Sequence, residues 1–342
     1  MKVLFIGGSG NISSSVSKLA IENGIDLYHL NRGNKPLELK GIKTIQLDIN
    51  DKKEVEKALV DHSWDVVVNW IAFTPEDIKR DFELFQSKTK QYIFISSASA
   101  YQKPLLHPFI TESTPLKNPF WDYSQNKIAC EDTLISLYRE KDFPITIVRP
   151  SLTYDTVIPV AIGGWNDYTF IDRVKKGKKI IIHGDGNSLW TITHAQDFAK
   201  GFVGLLNHKQ AIGHAFHITS DEVLTWNQIY ASIGEAVGVV IEGVHIPCEY
   251  ICREAKKIDW IWMGGDFMRG NLYGDKATSA VFDNSKIKMF VPGFKATIPF
   301  QKGIKKTIEW FEADENRKVI HADYNRFLDT IIDAWEKDFM HK

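Results

Sequence analysis

Lys-Val-Leu-Phe-Ile-Gly-Gly-Ser-Gly-Asn-Ile-Ser, residues 2–13, is the stretch of sequence that decides the fold. Its first half, Lys2–Ile6, is a short apolar run typical of a strand buried on both faces. Glycines follow at once, and from Ile12 onward apolar residues recur at helical spacing. A glycine cluster often marks a plain loop, but between a buried strand and a helix it favours a turn that binds a dinucleotide pyrophosphate. Ser13 stands where a third glycine is usual and is small enough to preserve helix–strand packing.

Strand-like and helix-like segments alternate up to about residue 150. Five further apolar runs predict strands, and most of the segments between them have helical character. This alternation predicts an α/β fold, a Rossmann-type doubly wound parallel sheet with helices on both faces. The further strands are predicted at Asp26–Leu30, Lys43–Leu47, Asp65–Val68, Tyr92–Ser96 and Ile145–Val148.

Beyond Pro150 the pattern becomes irregular, with frequent glycine and aromatic residues. Helical spacing returns at 194–206, a strand is predicted at 215–219, and two amphipathic helices are predicted at 303–312 and 323–338. The chain shows no internal repeat, low-complexity tract or polar linker. These features predict a smaller α+β lobe that is interleaved with the first rather than joined to it in series.

Composition argues against several classes of protein. The 342 residues carry a net charge of −1, with 44% apolar and 25% charged residues, as in an ordinary globular protein. This charge gives no reason to expect a nucleic-acid partner, and no apolar run approaches the ~20 residues needed to cross a bilayer. The three cysteines suggest neither a disulfide framework nor a metal site. We therefore expect a cytoplasmic protein without metal, nucleic-acid or membrane partners.

Three residues form a candidate catalytic set. Tyr123 and Lys127 stand four apart in a segment with a helical pattern, so both project from one face. A phenol has a pKa near ~10, and an adjacent ammonium favours the phenolate and lowers that pKa. The same spacing also occurs on ordinary surface helices. Ser97 ends a predicted strand at the carboxyl edge of the sheet, where it is placed either to stabilise charge on a substrate oxygen or simply to form a turn.

The end of the second predicted strand bears on the choice of nucleotide. It has Asn31-Arg32-Gly33 where NAD-binding proteins commonly carry Asp or Glu for the ribose 2′-hydroxyl. The missing carboxylate and a guanidinium able to pair with a 2′-phosphate favour NADP over NAD. The other interpretation is that Arg32 is a solvated turn residue. Asp48, after the third strand, is placed either to hold the adenine amino group or near a helix cap.

Together these motifs resemble the extended short-chain dehydrogenase/reductase family, in its NAD-dependent epimerase/dehydratase-like branch. The resemblance covers most of the chain and implies a Rossmann domain that binds NAD or NADP. It implies Tyr123 as acid/base, Lys127 as its activator and Ser97 as substrate anchor. Further pieces that match the family are Asn69–Ala72, Tyr101, Val148–Pro150, His183–Gly186 and Ala215–Thr219.

The resemblance also implies a set of cofactor contacts and a division into domains. Residues 1–150 and about 192–220 would form the NAD(P)-binding domain, and about 151–191 and 221–342 the substrate-binding lobe. A homodimer through the helix that bears Tyr123 and its neighbours is a further implication. The expected cofactor contacts are Gly7, Ser9, Gly10, Asn11, Ile12, Asn31, Arg32, Asp48, Ile71, Ala72 and Lys127.

Trp190 marks a departure from the family. Members that act on nucleotide sugars usually carry an arginine there, after the Gly184-Asp-Gly186 segment, which grips the sugar diphosphate. An indole cannot neutralise a diphosphate, although it can stack on a ring. Trp190 is therefore a candidate substrate contact. Trp121, Trp165 and Tyr168 either join it in an aromatic pocket or belong to the core.

Two functions follow as hypotheses. The first is an NAD(P)-dependent oxidoreductase, epimerase or dehydratase that acts on a small hydroxyl- or carbonyl-bearing, sugar-related substrate. The second is a non-catalytic dinucleotide-sensing regulator or an RNA-binding relative of the same superfamily. Such relatives often lose the Tyr or the Lys, whereas this chain retains Tyr123 and Lys127. That favours the enzyme.

Overall fold

The computed structural model describes residues 1–34, 39–107, 109–260 and 263–339. Within them the strands are β1 (Lys2–Ile6), β2 (Asp26–Asn31), β3 (Lys43–Gln46), β4 (Val66–Asn69), β5 (Tyr92–Ile95), β6 (Phe109–Ile110), β7 (Ile145–Pro150), β8 (Leu152–Tyr154), β9 (Ile180–His183), β10 (Leu189–Trp190), β11 (Ile192–His194), β12 (Ala215–Ile218), β13 (Leu224–Thr225), β14 (Gly243–Ile246) and β15 (Val281–Phe282).

The helices follow the same chain order. None of those in the described residues combines the length and the apolar character needed to cross a bilayer. They are α1 (Asn11–Glu22), α2 (Lys52–Ala58), α3 (Pro75–Phe85), α4 (Asp122–Lys141), α5 (Thr169–Lys175), α6 (Ala195–Leu205), α7 (Trp226–Val237), α8 (Cys248–Ala255), α9 (Phe267–Asn271), α10 (Ser285–Phe290), α11 (Phe300–Glu312) and α12 (Ala322–Phe339).

Seven strands form one parallel sheet in the order β12-β7-β5-β4-β1-β2-β3. From β1 the chain adds β2 and β3 on one side, then crosses to β4 and continues outward on the other side. In such a sheet the reversal between β1 and β4 opens a crevice at the carboxyl ends of the strands. The predicted α/β fold with a Rossmann-type sheet is confirmed.

The edge strand β12 brings the chain back to this sheet. It pairs with β7, and α6 just before it packs on α1. This return supports the predicted grouping of residues 1–150 with about 192–220, although the domain boundaries stay a prediction. Ile287 of α10 and Phe294 belong to the core beneath β12 and α6, so part of the segment assigned to the second lobe packs on the first.

The rest of the chain builds a second core. Strand β9 pairs with β14 and β10 with β13, while α7 packs against α11 and α8 against α12. Buried aromatic residues such as Trp226 and Phe311 lie in this core. The two C-terminal amphipathic helices occur where the sequence predicts them, slightly longer at their ends. The second lobe is therefore mixed α and β, as expected.

A buried ion pair fixes α4 on the sheet. Glu131, one turn beyond Lys127 on α4, accepts hydrogen bonds from Nε (2.9 Å) and Nη2 (2.6 Å) of Arg149 on β7. The same carboxylate accepts a hydrogen bond from the Ser96 hydroxyl (2.5 Å), directly after β5. All three side chains are buried. One carboxylate thus joins α4, β5 and β7, which carry or adjoin the candidate catalytic residues.

The substitution Glu131→Gln keeps the shape of the side chain but leaves the Arg149 guanidinium buried without its counter-charge. We expect the free energy of unfolding to fall by about 3–5 kcal/mol, measured by urea denaturation. The matched control Glu83→Gln removes an exposed partner of Lys52 and should cost less than ~1 kcal/mol. Equal losses in the two variants would contradict the anchoring role of Glu131.

Candidate active site

The glycine turn after β1 has the backbone conformation that its sequence predicts. Gly7 and Gly8 have φ of +94° and +70°, a region that favours glycine. A Cβ on Gly8 would lie 2.5 Å from the His29 ring, so only glycine fits there. The Ser13 hydroxyl accepts a hydrogen bond from the Gly10 N–H (2.8 Å) and so stabilises the first turn of α1. Serine at the third glycine position is therefore compatible with the turn.

Asn11 holds this turn against the second lobe. Its side-chain amide donates to the Thr153 carbonyl (2.9 Å), and its oxygen accepts from the N–H groups of Asp155 (2.9 Å) and Thr156 (3.2 Å). Both polar groups of the Asn11 side chain are therefore already hydrogen-bonded within the protein. What it can offer a cofactor is its backbone N–H at the start of α1.

A cavity of about 480 Å³ extends from the turn over the ends of β2 and β3. Asn31 and the exposed Arg32 line it, and the side-chain Oδ1 of Asn31 accepts a hydrogen bond from the Gly33 N–H (3.0 Å). Asp48 also lines it and accepts from the Asn50 N–H (3.0 Å). The side chain that caps α2 is Asp51, not Asp48. Asp48 is thus left facing the cavity, consistent with its predicted contact.

A second cavity of about 650 Å³ continues from the first towards the second lobe. The two share Gly7, Ser9, Ile71 and Phe73, so they form one crevice along the carboxyl ends of the strands. A groove that passes a glycine turn and a helix N-terminus fits an extended dinucleotide. The adenosine would lie at one end of such a groove and the nicotinamide at the other. The larger cavity is also lined by Gly10, Asn11 and Ile12 and by Ser97, Tyr123, Lys127 and Trp190.

Lys127 is held firmly in the wall of the larger cavity. Its ammonium donates to the carbonyls of Ala72 (2.7 Å) and Ile95 (2.9 Å) and lies 4.4 Å from the centre of the Phe73 ring. Burial lowers the pKa of Lys127 to about 8. Ala72, a predicted cofactor contact, is buried and positions Lys127 through its carbonyl. Phe73 lines both cavities, but it belongs to no chemical motif, so nothing in the sequence marked it as part of the site.

Tyr123 differs from expectation in its ionisation. Burial raises the pKa of Tyr123, the Ser97 hydroxyl partly offsets this, and Asp275 raises the pKa further. The Lys127 ammonium lies 5.8 Å from the centre of the Tyr123 ring and points to the two backbone carbonyls instead. The expected lowering of the Tyr123 pKa by Lys127 is therefore wrong for this structure. Tyr123 stands in the cavity as a neutral phenol, able to donate a proton.

Ser97 belongs to a chain of three hydroxyls. Ser124 of α4 donates to Ser99 (2.8 Å), and the Ser99 and Ser97 hydroxyls are 2.8 Å apart. The Ser99 N–H also donates to the Ser97 oxygen (3.1 Å). Because the Ser99 oxygen accepts a hydrogen bond from Ser124, its own O–H can donate to Ser97, which leaves the Ser97 O–H free to donate to a substrate oxygen. Ser99 is therefore placed to orient the Ser97 hydroxyl.

Three of the four aromatic candidates line the larger cavity. Trp121, Trp165 and Trp190 do so, whereas Tyr168 is absent from the described lining and its hydroxyl donates to Glu312 (2.8 Å). Trp190 is only 2% exposed, and its indole N–H donates to the Lys276 carbonyl (2.8 Å). The pocket is therefore partly aromatic, and Tyr168 belongs to the core, which was the other interpretation of the sequence.

Three charged residues in the lining were missed by the sequence analysis: Lys103, Asp275 and Lys276. Lys103 follows the serine-rich turn, and the other two end a π-helical turn at Leu272–Lys276. No motif surrounds them, so the sequence held no signal beyond their charge.

Comparison with known proteins gives a consistent result. Residues 3–219 match the model of the NAD dependent epimerase/dehydratase family. The mouse dTDP-D-glucose 4,6-dehydratase is 24% identical, with 91% of this chain and 88% of the relative covered. A chloroplast stem-loop binding protein of 41 kDa from Arabidopsis thaliana is also 24% identical, over 69% of this chain and 63% of its own.

Solved structures share the fold. A dTDP-glucose 4,6-dehydratase from Bacillus anthracis, solved in complex with NAD, superposes with a TM-score of 0.71 at 17% identity, covering 92% of this chain and 98% of the other. Together with the family match, this confirms the resemblance predicted from the motifs. The chain is an enzyme of the short-chain dehydrogenase/reductase type.

The hydroxyl chain generates a prediction. The substitution Ser99→Ala removes one neutral hydrogen bond to Ser97, worth ~0.5–1.5 kcal/mol. We expect kcat to fall about 3- to 10-fold, with NAD(P) affinity unchanged, in initial-rate assays with any substrate that the wild type turns over. Ser113→Ala, at an exposed hydroxyl, is the control and should match the wild type. An unaltered kcat in Ser99→Ala would show that the chain of hydroxyls does not serve Ser97.

Proposed function

The chain belongs to the NAD dependent epimerase/dehydratase family, and we propose that it binds NAD or NADP in the crevice and oxidises or reduces a sugar-related substrate. The observation that carries this proposal is the meeting of Ser97, Tyr123 and Lys127 in one cavity that continues to the glycine turn. A nicotinamide bound there supplies hydride chemistry, which leaves only the proton to the protein.

Each of the three residues has its own task. Tyr123, kept neutral by burial, exchanges a proton with the substrate oxygen as hydride moves on the adjacent carbon. Ser97 donates a hydrogen bond to the same oxygen and stabilises its charge. Lys127, with a pKa of about 8, carries most of its positive charge at neutral pH and positions the nicotinamide ribose.

Within this family we favour redox or epimerisation chemistry over dehydration. Loss of water needs an acid for the leaving hydroxyl and a base for the neighbouring carbon, in addition to Tyr123. Asp275 is the one carboxylate among the described residues that line the larger cavity, and it forms an ion pair with Lys276. The positions after Ser97 hold Ala98 and Ser99, which supply no second acid or base.

We further propose that NADP is the preferred nucleotide. The Bacillus anthracis neighbour holds NAD, but the exposed Arg32 in the adenosine-end cavity supports NADP for this chain. The nearby Arg80 is already paired with Asp77 and Asp81. Arg32 is therefore the guanidinium available for a 2′-phosphate. A cytoplasmic location and a homodimer stay predictions.

Tyr123→Phe tests the chemistry. Removing the phenol proton should reduce turnover by about 10²–10⁴-fold, measured as initial rates with a panel of nucleotide sugars and free sugars. NAD(P) affinity, measured by calorimetry, should stay unchanged because the ring remains. Tyr138→Phe, an exposed tyrosine on the same helix, is the matched control. A near-wild-type rate in Tyr123→Phe would contradict the role of Tyr123 as the residue that exchanges the proton.

Arg32→Ala tests the choice of nucleotide. If Arg32 pairs with the 2′-phosphate, NADPH binding should weaken by about tenfold or more, because charge-assisted hydrogen bonds are lost, while NADH binding changes little. Fluorescence titration of both nucleotides gives the two affinities. Arg139→Ala, an exposed arginine on α4, controls for net charge. Equal effects on both nucleotides would refute the preference for NADP.

A further inference from the structure

Two lysines are buried in the wall of the larger cavity, outside the catalytic set. Lys103 and Lys276 are each 3% exposed and line the cavity together with Trp165 and Trp190. Lysine is almost never fully buried unless it is paired. We therefore asked which groups compensate the positive charges of these two lysines.

The Lys103 ammonium has no hydrogen-bond or ion-pair partner among the described residues. The residue is held by its backbone N–H, which donates to the Lys117 carbonyl (2.8 Å). Burial lowers the pKa of Lys103, Asp275 acts against this, and Lys276 adds to it. A buried ammonium without a partner is costly. An anion that enters the cavity would remove that cost.

Lys276 is held in place by its backbone. Its carbonyl accepts hydrogen bonds from Trp190 Nε1 (2.8 Å), Trp226 Nε1 (3.0 Å) and, in the tautomer that donates, His183 Nε2 (3.1 Å). Its ammonium pairs with Asp275 and lies 4.7 Å from the centre of the Trp190 ring and 5.1 Å from that of Trp165. Position 190 holds an indole where family members that act on nucleotide sugars usually carry an arginine. The structure places a cation directly over that indole.

The charges in this wall do not balance. Lys103 and Lys276 bring two positive charges and Asp275 one negative charge, so one positive charge is left over in a buried, partly aromatic wall. Asp275 also acts on the pKa of Tyr123, so the cluster lies within electrostatic range of the reacting end. A group bound here would belong to the molecule whose oxygen meets Tyr123.

We propose that Lys103 and Lys276 bind an anionic oxygen group of the substrate, a phosphate or a carboxylate, beside the indoles of Trp165 and Trp190. This subsite deepens the proposed function and depends on it, because the substrate must place its reacting carbon at Tyr123. Lys276 then supplies the positive charge that Trp190 cannot. Selectivity for charged over neutral sugars follows from the uncompensated ammonium of Lys103.

The test is calorimetry of the protein, saturated with whichever of NAD and NADP binds more tightly, with pyrophosphate, UDP, D-glucuronate and uncharged D-glucose. The wild type should bind at least one of the anions and should bind glucose far more weakly. Lys103→Met and Lys276→Met should each weaken anion binding by about tenfold or more, since hydrogen bonds to charged groups are lost. Binding of pyrophosphate and UDP points to a phosphate, and binding of glucuronate to a carboxylate.

The matched control is Lys117→Met, an exposed lysine close to Lys103 in the fold, which should bind the anions as the wild type does. Lys103→Met should also melt at the same temperature as the wild type or higher, because it removes an unpaired buried charge. Lys276→Met provides a second variant if Lys103→Met does not fold.

Unchanged anion affinity in both lysine variants, or no anion binding by the wild type, would overturn the subsite. The proposed function would still stand if NAD or NADP binds and Tyr123→Phe abolishes turnover. If neither nucleotide binds, the proposed function fails, and the subsite fails with it as part of the substrate site.

Discussion

The buried carboxylate of Glu131 is the constraint on which the geometry of the site depends. It receives two hydrogen bonds from Arg149 and one from Ser96, in an interior where a lone charge would be costly. Because Glu131 lies one turn beyond Lys127, this pairing sets the rotation of α4 against the sheet. Lys127 then meets the carbonyls at the ends of β4 and β5, and Tyr123 faces the crevice beside Ser97.

The two ends of the crevice are lined by different parts of the chain. The glycine turn, Asn31, Arg32 and Asp48 line the end suited to adenosine, and they come from the first three strand ends. The reacting residues come from the turn after β5 and from α4. The far wall, with Trp190, Lys103 and Lys276, comes from segments well separated in sequence. This arrangement places a substrate wall built from distant segments opposite a cofactor groove built from consecutive regular elements.

Periodicity in the sequence was sufficient to predict the seven strands of the central sheet. Helix α3 lies in a segment with helical character between two of these strands, where Thr74 caps it and Pro75 fits its first turn. The properties of the candidate active site were harder to predict from the sequence. The pKa of Tyr123 depends on burial, and the pairing of Trp190 with Lys276 depends on tertiary contacts between distant segments. Neither the pKa nor this pairing can be read from local sequence patterns. The direction of the Tyr123 pKa shift was therefore predicted wrongly, and the cluster of Lys103, Asp275 and Lys276 was not predicted.

The claim that Glu131 locks α4 to the sheet is tested most directly by hydrogen exchange with mass spectrometry. Glu131→Gln and wild type would be compared under native conditions, with peptides that cover residues 95–101, 122–131 and 322–339. We predict faster exchange of the first two segments in the variant, by about tenfold or more, with the segment in α12 unchanged. Identical exchange of residues 122–131 in both proteins would contradict the account.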